Sequence, residues 1–355
     1  MRFSALSRLA ASTCCAAVLA FGATTMQTGK AGLKSAGALA IGPDGVLFVG
    51  DSAGASIYAL DVNDRAVAKS GGSLEVTGIN GKIAAMLGTS ADQIAINDVV
   101  VNPASKNVYI AVSRGKGNDA VPVILRVDNA GKITEIALDN VKFASVALPD
   151  GPQADRQRMD TITSIKYVGG QVLVAGLSNE EFSSSLRSIP YPFKDYSKAA
   201  GIEIYHGSHG RFETNAPVRT FVPYEINHQA NILAAYTCTP LVKIPVSELK
   251  PGNKVKGSTI AELGNGNRPL DMIVYTKGDK HFILMANSSR GVMKLPADNL
   301  ETFKPITAHT ETAGVPYETI DALKGVQQLD KYDDASALIL IGSGPSMDLR
   351  TIPLP

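Results

Sequence analysis

The stretch GPDGVLFVGDSAGASIYALD, residues 42 to 61, reads as a turn, an apolar strand, a small polar loop and a second strand ending on an acid. The same grammar returns as VYIAVSRGKGNDAVPVILRVD from Val108, VLVAGLSNEEFSSSLRSIPY from Val172 and ILAAYTCTPLVKIPV from Ile232. It returns twice more as FILMANSSRGVMKLPAD from Phe282 and LILIGSGPSMDLRTIPL from Leu338. The starts at 46, 108, 172, 232, 282 and 338 are separated by 62, 64, 60, 50 and 56 residues, a period slightly longer than that of a minimal propeller blade. An apolar strand precedes each copy (GALAIG, INDVVVN, TITSIKYV, YEINHQ, LDMIVY, GVQQLDKY), and several are followed by a fourth, such as KITEIAL and GSTIAEL. A four-stranded sheet that is apolar on both faces buries them only between neighbours, and closing a circle of such sheets protects their edges. The expected fold is all-β, a β-propeller of six blades with four antiparallel strands each; seven blades would need a further copy. The C-terminal TIPLP falls on a third-strand position, so the last blade is expected to take its outer strand from GKAGLKS near the start of the mature chain.

Composition agrees with many short elements: 45% hydrophobic residues, 33 Gly and 19 Pro, with aromatics at only 6%. With 34 basic against 33 acidic residues there is no electrostatic footprint for nucleic acid. Residues 1 to 25 carry Arg2 and Arg8 before an apolar run of small residues from 9 to 23, the shape of a secretory signal. The run is shorter than the ~20 residues of a membrane span. The expected mature protein is therefore a single propeller domain over residues 26 to 355, periplasmic or secreted, with no transmembrane span. It would hold one cysteine, Cys238, too few for a disulfide, a cysteine cluster for zinc or a CxxCH haem site. At the end of ANILAAYTC it reads as a small buried hydrophobe.

The IGPDGVLFVGDSAGASIYALD unit resembles the blades of NHL-type and gluconolactonase-like six-bladed propellers, at the level of blade pattern. The gluconolactonase-like resemblance implies a divalent ion such as calcium, held by a Glu on the first blade and by Asn and Asp on later ones. Here the first inner strand, KSAGALAIG, has no acid, a departure that counts against lactone hydrolysis.

In a propeller the inner strands start at the face where the loops between second and third strands emerge, and that face collects the candidate residues. Asn97, Asp160, Arg268 and Gln327 from inner-strand starts, Arg290 from a loop and Tyr191 from an insertion are the expected ligand-binding set. Asp98, His228 and Asp271 are the expected oxygen and nitrogen donors if the face holds a hard cation. Two insertions, residues 144 to 160 and 178 to 201, are expected to cover this face, and SIPYPF in the second is apolar enough to pack over something. Arg187, Arg268 and Arg290 would favour a carboxylate or phosphate if they converged. His206 and His209 in YHGSHGRFE meet on one ion only across a tight turn; their plainer reading is as solvent-facing hairpin residues.

No GxSxG elbow is present, and LGNGNRP and GSGP lack the helix a phosphate-binding loop needs, so serine hydrolysis and nucleotide binding are disfavoured. The absence of Trp argues against quinoprotein alcohol dehydrogenases, whose blades typically carry repeated tryptophan motifs. The sequence thus leaves an exported propeller that binds a small-molecule or protein ligand at a lidded axial face. A metal-dependent hydrolase or lactonase, and a partner protein of an exported redox enzyme, are the alternatives.

Overall fold

The computed structural model describes residues 25–68, 72–153, 155–238, 240–343 and 346–355; all but the last residue of the leader-like segment 1 to 25 lies outside them. The described residues form a six-bladed β-propeller of small antiparallel sheets. Each repeat found in the sequence is the second strand of a blade: Val46–Asp51, Val108–Arg114, Gln171–Leu177, Gln229–Tyr236, Lys280–Asn287 and Ser336–Ser343. These strands are sandwiched on both faces, which is why they read as unbroken apolar runs rather than as an alternation. In the first blade Phe48 faces the third blade, while Leu47 and Val49 face the second, and all three are fully buried. Each such side chain contributes about 1.5–3 kcal/mol on burial. The GPDG turn leading into this strand needs its glycine, because Gly45 sits at φ +70° and a Cβ there would lie 2.2 Å from the carbonyl oxygen of Asp64.

The six apolar seams fix the order of the blades around the axis. Numbered by sequence, the second blade packs on the first and on the sixth, and the first packs on the third. The remaining seams run third to fourth, fourth to fifth and fifth to sixth. Around the ring the order is second, first, third, fourth, fifth, sixth.

Two closures make this order possible. After the third strand of the first blade, Ser56–Asp61, the chain passes to the rim of the sixth blade. There Glu75–Val76 pairs with Ser346–Pro353. The following helix, Ile79–Met86, buries Ile79 and Ile83 in the seam between sixth and second blades. The second blade follows, and the chain then returns as Val141–Ala147 to complete the first blade, with Gln27–Gly29 added outside it. The sixth blade is therefore closed by residues 75 and 76, not by GKAGLKS. Lys34 and Ser35 of that segment instead donate backbone N–H groups to the Asp51 carboxylate of the first blade, at 2.9 and 2.8 Å.

Of the two stretches read as insertions, residues 144 to 147 belong to the first blade's outer strand, and Ser184–Pro190 is the third strand of the third blade. Among the described residues no helix is long and apolar enough to cross a membrane.

Candidate functional site

Inner strands run side by side around the axis, and four of them carry a one-residue register shift at the same level: at Asn97, Arg219, Leu270 and Gln327. A bulge of this kind re-aims the side chains that follow it. Here it turns Asp98, Asp271 and Gln328 toward a narrow neck of about 60 Å³, which Lys166 of the third blade also lines.

The neck joins blades. Asp98 Oδ2 accepts the backbone N–H of Leu39 on the first blade at 2.7 Å, and Asp271 Oδ2 accepts that of Leu329 on the sixth at 3.1 Å. One layer further, Asp330 Oδ2 accepts the N–H of Val101 on the second blade at 2.8 Å. Three consecutive seams are thus each clamped by one carboxylate. With its amide oriented so that the nitrogen faces the acids, Gln328 donates to Asp98 Oδ1 at 3.1 Å and Asp271 Oδ2 at 3.3 Å. Burial, and then repulsion from Asp271, push the Asp98 carboxyl up to about 8. Burial raises Asp271 to about 6 against the pull of Lys166. For Lys166, burial works against the charge, but Asp271, Asp330 and Asp98 outweigh it and raise its pKa.

On the side of the neck where the inner strands begin, the axis opens into a vestibule of about 390 Å³. Its polar wall includes Ser52, Asn97, Ser113, Asp160, Thr163, Arg219, Arg268 and Gln328, and Ile96, Met159, Ile162 and Leu270 supply apolar surface. Asn97 Nδ2 is held by Ala36 O at 2.7 Å and Ser113 Oγ at 2.9 Å. Arg219 Nη1 pairs with Asp160 Oδ1 at 2.8 Å, and its Nε donates to Thr237 Oγ1 at 3.3 Å. Arg268 forms no ion pair among the described residues. Burial and the neighbouring Arg219 both lower its pKa, with Asp160 opposing them. Two guanidinium groups therefore crowd one carboxylate, leaving a positive charge facing the cavity.

Of the expected ligand-binding residues, the structure brings Asn97, Asp160 and Arg268 together on this vestibule. Gln328 lines it in place of Gln327, a one-residue difference caused by the bulge. Arg290 reaches instead to the loop of residues 264 to 268, donating to Asn265 O at 3.0 Å. Tyr191 follows the third strand of its blade and hydrogen-bonds through its N–H to Gly170 O, at the end away from the vestibule. There it packs edge-on to Phe48 at 4.9 Å, so SIPYPF folds over the seam of the first and third blades rather than over a ligand face. Residues 178 to 201 contribute nothing to the vestibule wall, whereas Met159 from the other insertion overhangs it.

Asp98 and Asp271 meet in the neck as described, but His228 is not with them. The inner strand of the fourth blade is Val218–Ile226, nine residues long, and YEINHQ is its end rather than its start. Asn227 and His228 form the following tight turn, both with positive φ (50° and 60°), and the His228 side chain is 99% exposed on the opposite face. The same displacement hid Arg219, the bulge residue at the true start of that strand. Arg187, grouped with Arg268 and Arg290 in the sequence, is fully buried and bonded to Asp150, away from both.

No protein-family model matches the chain, and no curated protein matches it. Solved structures similar to it include an oxidoreductase (glucose dehydrogenase) from Thermus thermophilus, 11% identical, TM-score 0.38, covering 93% of this chain and 100% of that one. The PQQ-bound form of aldose sugar dehydrogenase from Streptomyces coelicolor is 12% identical, TM-score 0.37, covering 92% and 97%. Drosophila Plexin A in complex with Semaphorin 1b is 10% identical, TM-score 0.41, covering 94% and 88%.

Proposed function

We propose that the protein is a binding propeller whose axial vestibule takes a small organic carboxylate. The observation that carries this reading is the Arg268 guanidinium, which has no ion pair among the described residues and lies beside Arg219 on the wall of a cavity of about 390 Å³. An anion there relieves the repulsion between the two arginines and accepts a charge-assisted, two-pronged hydrogen bond. Asp160 holds Arg219 at its level and offers an acceptor to a ligand hydroxyl, while Met159 and Leu270 take up an apolar portion. The volume suits a ligand of metabolite size. The arginine-flanked segment at residues 1 to 25 supports a place outside the cytoplasm, periplasmic or secreted; the N-terminal mass of the protein recovered from an export-competent host tests this.

The binding test is a thermal-shift screen of small mono-, di- and hydroxycarboxylates, followed by calorimetry on the best binder with wild type and Arg268→Ala. Loss of a charge-assisted bond worth about 1.5–3 kcal/mol should weaken binding by roughly tenfold or more. Equal affinity in the variant, or no carboxylate that binds, would sink the reading.

A further inference from the structure

A second cluster lies at the junction of the third and fourth blades. The third blade's strand Ala200–His206 turns through Gly207–His209 and returns as Arg211–Glu213, pairing His206 with Arg211 and Ile204 with Glu213. The turn brings the His206 and His209 rings together, with centroids 3.8 Å apart and planes tilted by 36°. Glu213 then takes one imidazole on each oxygen: His206 Nδ1 at 2.9 Å from Oε2 and His209 Nδ1 at 2.8 Å from Oε1. Arg211 Nε donates to the same carboxylate at 3.0 Å. The two histidines are thus not free solvent-facing hairpin residues but a pair held by one carboxylate. That arrangement fixes the tautomer of each ring with a lone pair on Nε2, the usual outer support of a metal-bound imidazole.

Two further observations point to a ligand. His206 is 2% exposed, and its Nε2 has no hydrogen-bond partner among the described residues. Such a buried, unsatisfied polar atom costs stability unless something occupies it. Cys238, from the loop between second and third strands of the fourth blade, arrives at the same place. His206, His209 and Cys238 each bring a ligand atom to within 4.8 Å of the other two. Cys238 stands at φ +63° with its N–H on Asn267 O at 2.7 Å.

We infer that His206, His209 and Cys238 form a transition-metal site of three protein ligands, with Glu213 as the common support of the two histidines. Two imidazoles and a thiolate suit a borderline-soft ion, and zinc is the one to test. A set of three protein ligands leaves a fourth position open to water or another small donor. Binding displaces the thiol proton to solvent, and no oxidant or reductant is involved. The site is separate from the vestibule, yet Thr237 ties them: its hydroxyl accepts from Arg219, one residue before the Cys238 ligand.

The test uses tag-free protein stripped with a chelator, dialysed and titrated with zinc sulfate, then with cobalt(II) as a spectroscopic probe. One equivalent of zinc per chain should survive desalting, and cobalt should give a thiolate-to-metal charge-transfer band. Cys238→Ser should abolish the band and weaken zinc binding at least tenfold. His209→Asn, at the more exposed ligand, should weaken zinc binding while the metal-free variant melts as the metal-free wild type does. No retained zinc in the wild type, or equal retention in both variants, would overturn the assignment.

Discussion

Arg187 is fully buried on the third strand of the third blade, and its three guanidinium nitrogens are all used. Nε meets Asp150 Oδ1 at 3.2 Å, Nη1 the carbonyl of Thr161 at 3.0 Å, and Nη2 that of Leu177 at 2.8 Å. Asp150 Oδ2 in turn accepts from Tyr196 Oη at 3.0 Å and Ala199 N–H at 2.8 Å, which fastens the segment between third and fourth strands. Removing one partner of such a buried pair strands the other charge, so Arg187→Ala should cost about 3–5 kcal/mol in chemical denaturation. A loss below about 1 kcal/mol would mean that water replaces the guanidinium. Nothing in SSLRSIP announces this role, because the partner is 37 residues away. Cys238 is similar: it closely follows the apolar run ANILAAY, and the histidines beside it come from another blade. His206 and His209 were legible as a pair that needs a tight turn, but Glu213 closing both Nδ1 atoms was visible only once the hairpin register was known.

At the scale of the element, the inner strands explain both what the sequence revealed and where it misled. Their second-strand partners are long, apolar and buried on both faces, so the repeats could be placed from composition alone. Inner strands face the axis, carry polar residues and are bulged, and the alternation that would mark their starts is broken at Asn97, Arg219, Leu270 and Gln327. Asn97, Asp160 and Arg268 were found despite this; Arg219 was missed, and Gln327 stood where its neighbour Gln328 lines the wall. The same strands bring Asp98 and Asp271 together with carboxyls raised to about 8 and about 6. A carboxyl with a higher pKa in the folded chain than its unfolded value near 4 takes up a proton on folding. The stability this confers is present at low pH and is lost as the pH climbs from about 4 through 6 and 8. The melting temperature should therefore fall by about 2–6 °C between pH 5 and pH 8. Asp98→Asn should flatten that slope relative to wild type; identical pH profiles would show that burial in the neck does not raise the Asp98 carboxyl.

For the molecule as a whole, six sheets closed around an axis follow from repeats that cannot bury their faces alone, and this much was readable from period and pattern. The order of the blades was not. It depends on a two-residue strand, Glu75–Val76, and on the outer strand Val141–Ala147, which returns to the first blade after the second is complete. Two residues carry no periodic signal, and pairing over such separations is decided by the seams available when the ring closes. Val76 is 2% exposed within the seam of the second and sixth blades. Val76→Asp should accordingly destabilise the propeller by about 2–4 kcal/mol, measured by denaturant unfolding. A neutral effect would mean that the sixth blade is closed by some other segment.

The ring divides its axis into a neck that clamps blades and a vestibule that we propose takes a carboxylate, and calorimetry on two variants separates these roles. With the best-binding small carboxylate, Arg268→Ala should weaken binding roughly tenfold or more, while Asp98→Asn, measured at a pH where it is folded, should bind as the wild type does. Undiminished binding by Arg268→Ala, or loss of binding in a folded Asp98→Asn, would contradict the division and move the site into the neck.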